Sequence, residues 1–251
     1  MIINHPHADQ EAPLRSLWQA AFGDPDAFLD AFFQRAYAPE RCLGVWEDGQ
    51  LLGAVYWFAC ACRQQKIAYL YALAVEKSCR GRGIGTQLME KAHAVLASQG
   101  YAGAVLVPQE ERLWGLYARL DYREGPGIET FTCKAGDTEI PLRAISAAEY
   151  ATLRRMLLPV GGVVQEGENL AFLETQADFW AGADCILATR QEEDQLFGLE
   201  LLGDTQSAPG IVAALGCREG IFRVPGTGRF AMFRPLREDC AIPHFFGFAF
   251  D

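Results

Sequence analysis

The chain has 251 residues, of which 50% are hydrophobic and 22% are charged, and its formal net charge is −10. This composition is typical of a folded globular protein and excludes a wholly disordered chain. The acidic excess weighs against nucleic-acid binding, which needs clustered Lys and Arg, and no apolar run approaches the roughly 18 residues of a membrane span.

Two amphipathic helices are predicted at the start of the chain. Apolar residues recur at helical spacing over 14–22, and a second apolar stripe covers 28–33. Between them, Asp24 followed by Pro25 predicts the cap and the first residue of the second helix.

The next part of the chain alternates strands and helices. A hairpin is predicted around Asp48-Gly49, and the nearly continuous apolar run 67–75 predicts a central strand covered on both faces. A helix over 83–98 ends before Gly100, a suitable left-handed residue. The remaining predicted elements are a strand at 102–107, a helix at 110–120 and strands near 122 and at 130–134. This order is typical of an α/β sheet with covering helices.

The segment 136–251 has a different character. It holds a net charge of −8, against −2 for residues 1–134, which suggests two domains, 1–135 and 136–251. Ser146 predicts a capped helix, and the segment ends in the aromatic run 244–250. The other predicted elements are strands at 185–189 and 196–202, a helix at 209–215, and a hairpin that joins 221–224 to 230–233.

The eight cysteines predict no metal site. No CxxC pair occurs, and most of the cysteines lie within apolar runs, which is typical of buried, reduced thiols. Cys60 and Cys62 share one face of a strand, but they lack a second pair of ligands. Since the N-terminus also has no signal-peptide pattern, the sequence predicts a cytoplasmic protein.

One stretch carries a chemical motif, Arg80-Gly81-Arg82-Gly83-Ile84-Gly85-Thr86, between the central strand and a helix. Glycines let a ligand approach the backbone closely, and free N–H groups at a helix N-terminus bind anions. The stretch therefore suits a pyrophosphate, although a plain turn with solvated arginines would look similar. It is not a dinucleotide-binding fingerprint, because its glycines are spaced GxGxG rather than GxGxxG. It is not a Walker A loop either, because Gly-Lys-Ser/Thr is missing.

This stretch resembles the fingerprint of the GCN5-related N-acetyltransferases (GNAT), Arg/Gln-x-x-Gly-x-Gly/Ala, which likewise follows an apolar strand and opens a helix. A second block, 116–122, resembles the family's later helix-to-strand segment, with Asp121 in place of its usual Gly. The resemblance covers roughly residues 1–134. It implies a mixed central sheet flanked by helices, followed here by a smaller α/β domain.

The resemblance also implies the roles of individual residues. Backbone N–H groups from Arg80 to Thr86 would hold the pyrophosphate of acetyl-CoA. The strand residues Leu73, Ala74 and Val75 would pair with its pantetheine arm, beside a gap before the strand near 104–107. A backbone N–H near Leu73 would polarise the thioester carbonyl. Tyr117 would protonate the leaving thiolate, although by periodicity alone it is a packed helix residue.

The sequence offers several candidates for the general base. Glu76, at the end of the central strand, is the residue we assign to this role. Glu110 and Glu111 are alternatives that also suit helix capping, His93 is expected on a solvated helix face, and a water relay serves equally well.

The second domain is interpreted as a degenerate acetyltransferase-like domain, because it repeats part of the element order without a phosphate loop. Such a tandem resembles the start of the enhanced-intracellular-survival family, whose terminal carboxylate can reach the active site, so Asp251 is a hypothetical contributor. A dimerisation or lid domain is the alternative.

The sequence therefore predicts an acetyl-CoA-dependent N-acetyltransferase that acts on a primary amine of a small, cationic acceptor or a peptide. The acidic second domain would steer such an acceptor. The rival hypothesis is a non-catalytic acyl-CoA-binding sensor that serves interactions with other proteins. No nucleic-acid, membrane or metal partner is predicted, and a homodimer is left open.

Overall fold

The computed structural model describes residues 1–248 and 250. It begins with a short strand, β1 (Ile2–Asn4), and two helices, α1 (Glu11–Phe22) and α2 (Asp26–Arg35). The predicted cap of α2 is wrong, because Pro25 occupies the cap position and Asp24 precedes it. The Asp24 carboxylate instead accepts a hydrogen bond from Trp18 Nε1 at 2.7 Å, which satisfies the donor of a buried indole.

Seven of the described strands form a first, mixed sheet in the order β1-β2-β3-β4-β5-β13-β6. Its further strands are β2 (Cys42–Glu47), β3 (Gln50–Cys62), β4 (Gln65–Val75), β5 (Gly103–Leu106), β6 (Arg123–Glu124) and β13 (Met232–Pro235). β4 and β5 are parallel, whereas the other neighbours are antiparallel. The predicted central strand is thus confirmed as β4, which lies in the middle of the sheet.

Helices cover both faces of this sheet. α3 (Ile84–Ser98) and α4 (Glu111–Ala118) pack on one face, where Leu88 and Leu96 are fully buried. α1 and α2 pack on the other face. Gly100 follows α3 with φ of +81°, as its predicted role at the end of the helix requires.

The other six described strands form a second sheet in the order β7-β12-β11-β10-β9-β8. These strands are β7 (Ile128–Lys134), β8 (Arg143–Ala144), β9 (Asp178–Ala181), β10 (Cys185–Glu192), β11 (Gln195–Gly203) and β12 (Glu219–Pro225). α5 (Ala147–Leu157) and α7 (Ala208–Ala214) pack against this sheet, whereas α6 (Glu168–Leu173) packs against α2 and β3 of the first sheet. Two mixed sheets with covering helices confirm the predicted α/β class.

The predicted hairpin between 221–224 and 230–233 is wrong. Both edges of β12 are already paired, with β11 on one side and β7 on the other. β13 therefore crosses to the first sheet and inserts between β5 and β6. β7 precedes residue 135 but lies in the second sheet, and β13 follows residue 135 but lies in the first. Each sheet therefore contains a strand from the other side of the predicted boundary. The domain boundary there stays a prediction.

The C-terminal aromatic segment docks, as its composition predicts. Phe245, Phe246, Phe248 and Phe250 are buried in a core cluster that also contains Trp18. The side-chain amide of Gln165 holds both polar groups of the Phe248 backbone: its Nε2 donates to Phe248 O at 2.9 Å, and its Oε1 accepts from Phe248 N at 3.0 Å. Asp251 lies outside the described residues.

A buried ion pair lies under this segment. Arg154 and Glu200 are 3% and 0% exposed, and the guanidinium donates to both carboxylate oxygens, at 2.7 and 2.9 Å. Tyr150 Oη donates to the same carboxylate at 2.6 Å, and the guanidinium lies 4.7 Å from the ring centre of Phe248. Burial by itself would lower the pKa of Arg154. The negative charge and the hydrogen bonds of Glu200 have the opposite effect, and the pKa of Arg154 is raised overall.

Candidate active site

The glycine-rich loop turns from β4 into α3. Gly81 and Gly83 have φ of +81° and +77°, in the left-handed region that favours glycine. A Cβ at either position would meet no atom closer than 3.9 Å, so backbone conformation rather than crowding requires glycine. Gly83 directly precedes α3, whose first N–H groups lack intrahelical partners. The loop thus presents N–H donors to an anion.

The two arginines of the loop have different surroundings. Arg80 Nε donates to the carbonyl oxygen of Val75 at 3.1 Å, which ties the loop to the end of β4. Arg82 pairs with Glu47 at 3.2 Å, and this carboxylate raises the pKa of Arg82. Glu47 therefore offsets part of the positive charge that the sequence suggested for this loop.

The expected gap in the sheet lies between β4 and β5. These strands pair only from Ile67 to Tyr69, although β4 continues to Val75. From Leu73 onward, the edge of β4 that faces β5 has no register partner there among the described residues. Leu73, Ala74 and Val75, the residues expected to bind the pantetheine arm, all lie along this edge.

A bulge distorts β4 at the mouth of the gap. Ala54 pairs with Ala74 and Tyr56 with Tyr71, so two β4 residues stand opposite Val55 alone. One of these residues, Ala72, has φ of +48°, a conformation that costs a non-glycine residue roughly 1–2 kcal/mol. Such strain is concentrated at functional sites. Nothing in the continuous apolar sequence of β4 indicates it.

A cavity of about 840 Å³ passes through the gap and reaches both faces of the sheet. On the side of α3 and α4 its wall includes Leu73, Met89, Leu106, Leu113 and Tyr117. On the side of α1, α2 and the C-terminal segment it includes Trp18, Phe28, Tyr69, Tyr71, Leu173, Phe248 and Phe250. Arg190 of β10 and Leu199 of β11 also belong to the lining, so residues from both sheets line one continuous space.

Tyr117 lies in the wall of this cavity, as the resemblance implies. Its side chain is on α4, 8% exposed, with its ring 5.9 Å from that of Tyr122 in an edge arrangement. Burial raises the pKa of Tyr117 to about 12. The phenol is thus protonated at neutral pH and remains able to donate a proton.

Glu76 does not belong to the described lining of the cavity. It is half-buried, and its carboxylate accepts hydrogen bonds from the backbone and the hydroxyl of Ser78. These bonds lower the pKa of Glu76, which makes the carboxylate a weaker base. Glu110 and Glu111 also lie outside the lining and pair with Arg112 and Arg229.

His93 is not on a solvated face, contrary to expectation. It is 5% exposed, with Nε2 2.8 Å from Tyr122 Oη and Nδ1 2.8 Å from Arg234 Nη1. Burial, together with the nearby Arg234 charge, lowers the pKa of His93 to about 3. Because a guanidinium only donates, Nδ1 accepts and Nε2 carries the proton. This contact ties β13 to α3.

Several lining residues were not identified from the sequence. Asp24, Gln109, Gln176 and Arg190 reach the cavity from four separate segments. Asp24 was predicted as a helix cap, and Arg190 follows the predicted strand 185–189, in its connection to the strand 196–202. Neither residue carries a local signal of a binding site. Within residues 1–248 and 250, no group of three His, Cys, Asp or Glu could hold a metal ion, and no helix is long and apolar enough to cross a membrane.

Comparison with known proteins finds a matching family model and similar folds. Residues 3–125 match the family model of an acetyltransferase (GNAT) domain. A GCN5-related N-acetyltransferase from Anabaena variabilis ATCC 29413 aligns with a TM-score of 0.77 and 11% identity, over 94% of this chain and 73% of its own. One from Kribbella flavida gives 0.73 and 17%, over 93% and 70%. Eis1 from Mycobacterium abscessus gives 0.70 and 14%, over 94% and 74%.

These structural alignments cover both sheets, so the similarity in fold extends beyond the matched domain. At identities of 11–17% they establish the fold only. No curated protein sequence matches the chain significantly.

Proposed function

Because residues 3–125 belong to the GCN5-related N-acetyltransferase family, we propose that the protein transfers an acetyl group from acetyl-CoA to a primary amine. The observation that carries this proposal is the cavity through the gap between β4 and β5. It gives a donor and an acceptor access from opposite faces of one sheet, so that they meet beside Tyr117 and the strained Ala72.

The donor side suits coenzyme A. The N–H groups after Gly83 and the positive end of the α3 dipole favour a pyrophosphate. Along β4, Leu73, Ala74 and Val75 offer backbone groups on the side facing the gap, in the way that a sheet edge binds an extended peptide. The amides of the pantetheine arm can pair with these groups.

The bulge in β4 would supply the electrophilic contact. Ala72 and Leu73 have no register partner in β3, and the pairing with β5 ends at Tyr69. We assign to the Leu73 N–H the role of polarising the thioester carbonyl. A preorganised donor there stabilises the negative charge that develops on the oxygen during acyl transfer.

The reaction balances without a further reactant. The amine, entering as an ammonium ion, first loses one proton. Its nitrogen lone pair then forms a bond to the thioester carbon, the C–S bond breaks, and sulfur leaves with the electron pair. The nitrogen loses a second proton and the sulfur gains one, so the products are the N-acetyl amine, free coenzyme A and one proton.

Tyr117 would supply the proton that sulfur gains. An ordinary thiol has a pKa near 8.5, below the value of about 12 for Tyr117. The same low-polarity surroundings raise the pKa of a thiol formed in the cavity, which narrows the difference. Water would accept the proton of the ammonium ion, because the carboxylate of Glu76 lies outside the described lining.

Thiol release with acetyl-CoA and a panel of primary amines tests the proposal, with mass spectrometry of the N-acetyl product. We expect release that depends on the amine. If acetyl-CoA binds tightly in calorimetry but no amine promotes release, the proposal fails and the acyl-CoA sensor is the better description.

A further inference from the structure

We infer that the acceptor is a primary amine with an apolar, ring-bearing body rather than a hydrophilic polycation. The inference rests on the proposed function and specifies its substrate class. It is carried by the lining of the cavity on the side of α1, α2 and the C-terminal segment, called here the acceptor half.

Aromatic side chains dominate the acceptor half. Trp18 contacts Tyr71 with ring centres 5.5 Å apart, and Phe250 lies 6.0 Å from Tyr71. Phe28 and Phe248 complete this wall. An aromatic or alicyclic body gains both burial and ring contacts there, whereas the polar groups of a sugar or a polyamine that face these rings would lack hydrogen-bond partners.

Charge in the cavity does not suit a polycation. Among the described lining residues, only Asp24 and Arg190 are charged, and they have opposite signs. The Asp24 carboxylate already accepts from Trp18 Nε1 at 2.7 Å, but a carboxylate can accept further bonds. The lining therefore offers a partner for one ammonium group, not for several.

A group of acidic residues of the second segment lies outside the cavity lining. Glu192, Glu193 and Asp194 surround a separate hollow at the β10–β11 turn, together with Lys134 and Arg218. None of these three carboxylates lines the cavity, and Glu192 pairs with the lining residue Arg190 at 3.0 Å. The lining itself therefore does not provide the steering of a polycationic acceptor that the acidic balance suggested. A singly charged amine needs no such steering.

The C-terminal segment holds the shape of the acceptor half. Tyr71 Oη donates to Phe250 O at 2.6 Å, and the Gln165 amide fixes the Phe248 backbone at two points. These contacts hold both phenylalanine rings in the wall. The selectivity for an apolar body is thus built into the resting structure.

Three amines of graded chemistry test the inference: 2-phenylethylamine, ethanolamine and spermidine, compared by kcat/KM at fixed ionic strength. Burying a ring of this size is worth about 1.5–3 kcal/mol, which corresponds to a preference of roughly 10- to 150-fold for 2-phenylethylamine over ethanolamine. Spermidine should be no better than ethanolamine.

A matched pair of variants changes the charge of the cavity alone. Gln176→Glu adds a carboxylate to the lining, whereas Gln191→Glu adds one outside it. We expect Gln176→Glu to raise kcat/KM for spermidine relative to 2-phenylethylamine several-fold, and Gln191→Glu to leave that ratio unchanged.

The outcomes distinguish a failure of the inference about the acceptor from a failure of the proposed function. Turnover of spermidine or ethanolamine at least as efficient as that of 2-phenylethylamine overturns the inference but leaves the proposed function standing. No transfer to any of the three amines, despite bound acetyl-CoA, overturns the proposed function and the inference with it.

Discussion

Gly247 is the position where the smallest change should disturb the cavity most. A Cβ there would lie 1.7 Å from Glu200 Oε1 and 2.8 Å from Arg154 Nη2, whereas ordinary contacts begin near 3.4 Å. In Gly247→Ala, either the buried carboxylate or the C-terminal segment must therefore move by more than an ångström.

Both movements are costly. If the carboxylate of Glu200 moves, it weakens bonds from Tyr150 and Arg154, and breaking a buried ion pair costs about 3–5 kcal/mol. If the segment moves, Phe246 and Phe248 lose burial worth about 1.5–3 kcal/mol each. We expect a loss of about 3 kcal/mol or more, equivalent to roughly 6–12 °C in Tm for a chain of this size.

Urea unfolding measures the loss, and kcat/KM for the amine acceptor reports the accompanying change in the cavity. Gly115→Ala is the control, since a Cβ there meets no atom within 4 Å and the residue lies within α4. That change should stabilise the protein by about 0.5–1 kcal/mol. A Gly247→Ala protein within 1 kcal/mol of wild type would refute the reasoning.

Three further predictions follow from the site. Tyr117→Phe should lower kcat about a hundredfold or more, because the variant cannot protonate the leaving sulfur, while KM for acetyl-CoA stays nearly unchanged. If steady-state kinetics show an unaltered kcat, Tyr117 is not the general acid. Gly81→Asp should raise KM for acetyl-CoA about tenfold or more by repelling phosphate, whereas Gly100→Asp, at the same φ of +81°, should not. Folding lowers the pKa of His93 from 6.5 to about 3. Below pH 6.5 the unfolded chain takes up a proton that the folded protein does not bind. The contribution of His93 to stability is therefore complete above pH 6.5 and is lost as the pH falls toward 3, by up to about 1.4 kcal/mol per pH unit. His93→Gln should flatten unfolding free energy against pH over that interval; an unchanged slope contradicts the assignment.

Local sequence patterns were sufficient to predict most helices and strands, and also the glycine-rich loop. The apolar run 67–75 identified β4, and helical spacing identified α1 and α3, because period and turn chemistry are encoded in neighbouring residues. The glycines at 81 and 83 were identifiable for the same reason, since their left-handed conformations are set within the loop itself.

Predictions failed where a distant partner decides the outcome. His93 looked solvated from its helix alone, but Arg234, 141 residues away, buries it and holds Nδ1. The predicted hairpin failed because β7 and β11 already occupy both edges of β12, a competition that no local pattern reveals.

The sequence by itself determined the family resemblance, the anion-binding loop and the acidic balance of the second segment. Only the tertiary structure decided which side chains line the cavity. The cavity wall combines α1, β4, β10 and the C-terminal segment, and its charge depends on which side chains converge there. Net charge sums over the whole chain, whereas a bound ligand interacts with the few groups within reach. The −10 of the sequence and the balanced charge of the aromatic cavity are therefore compatible.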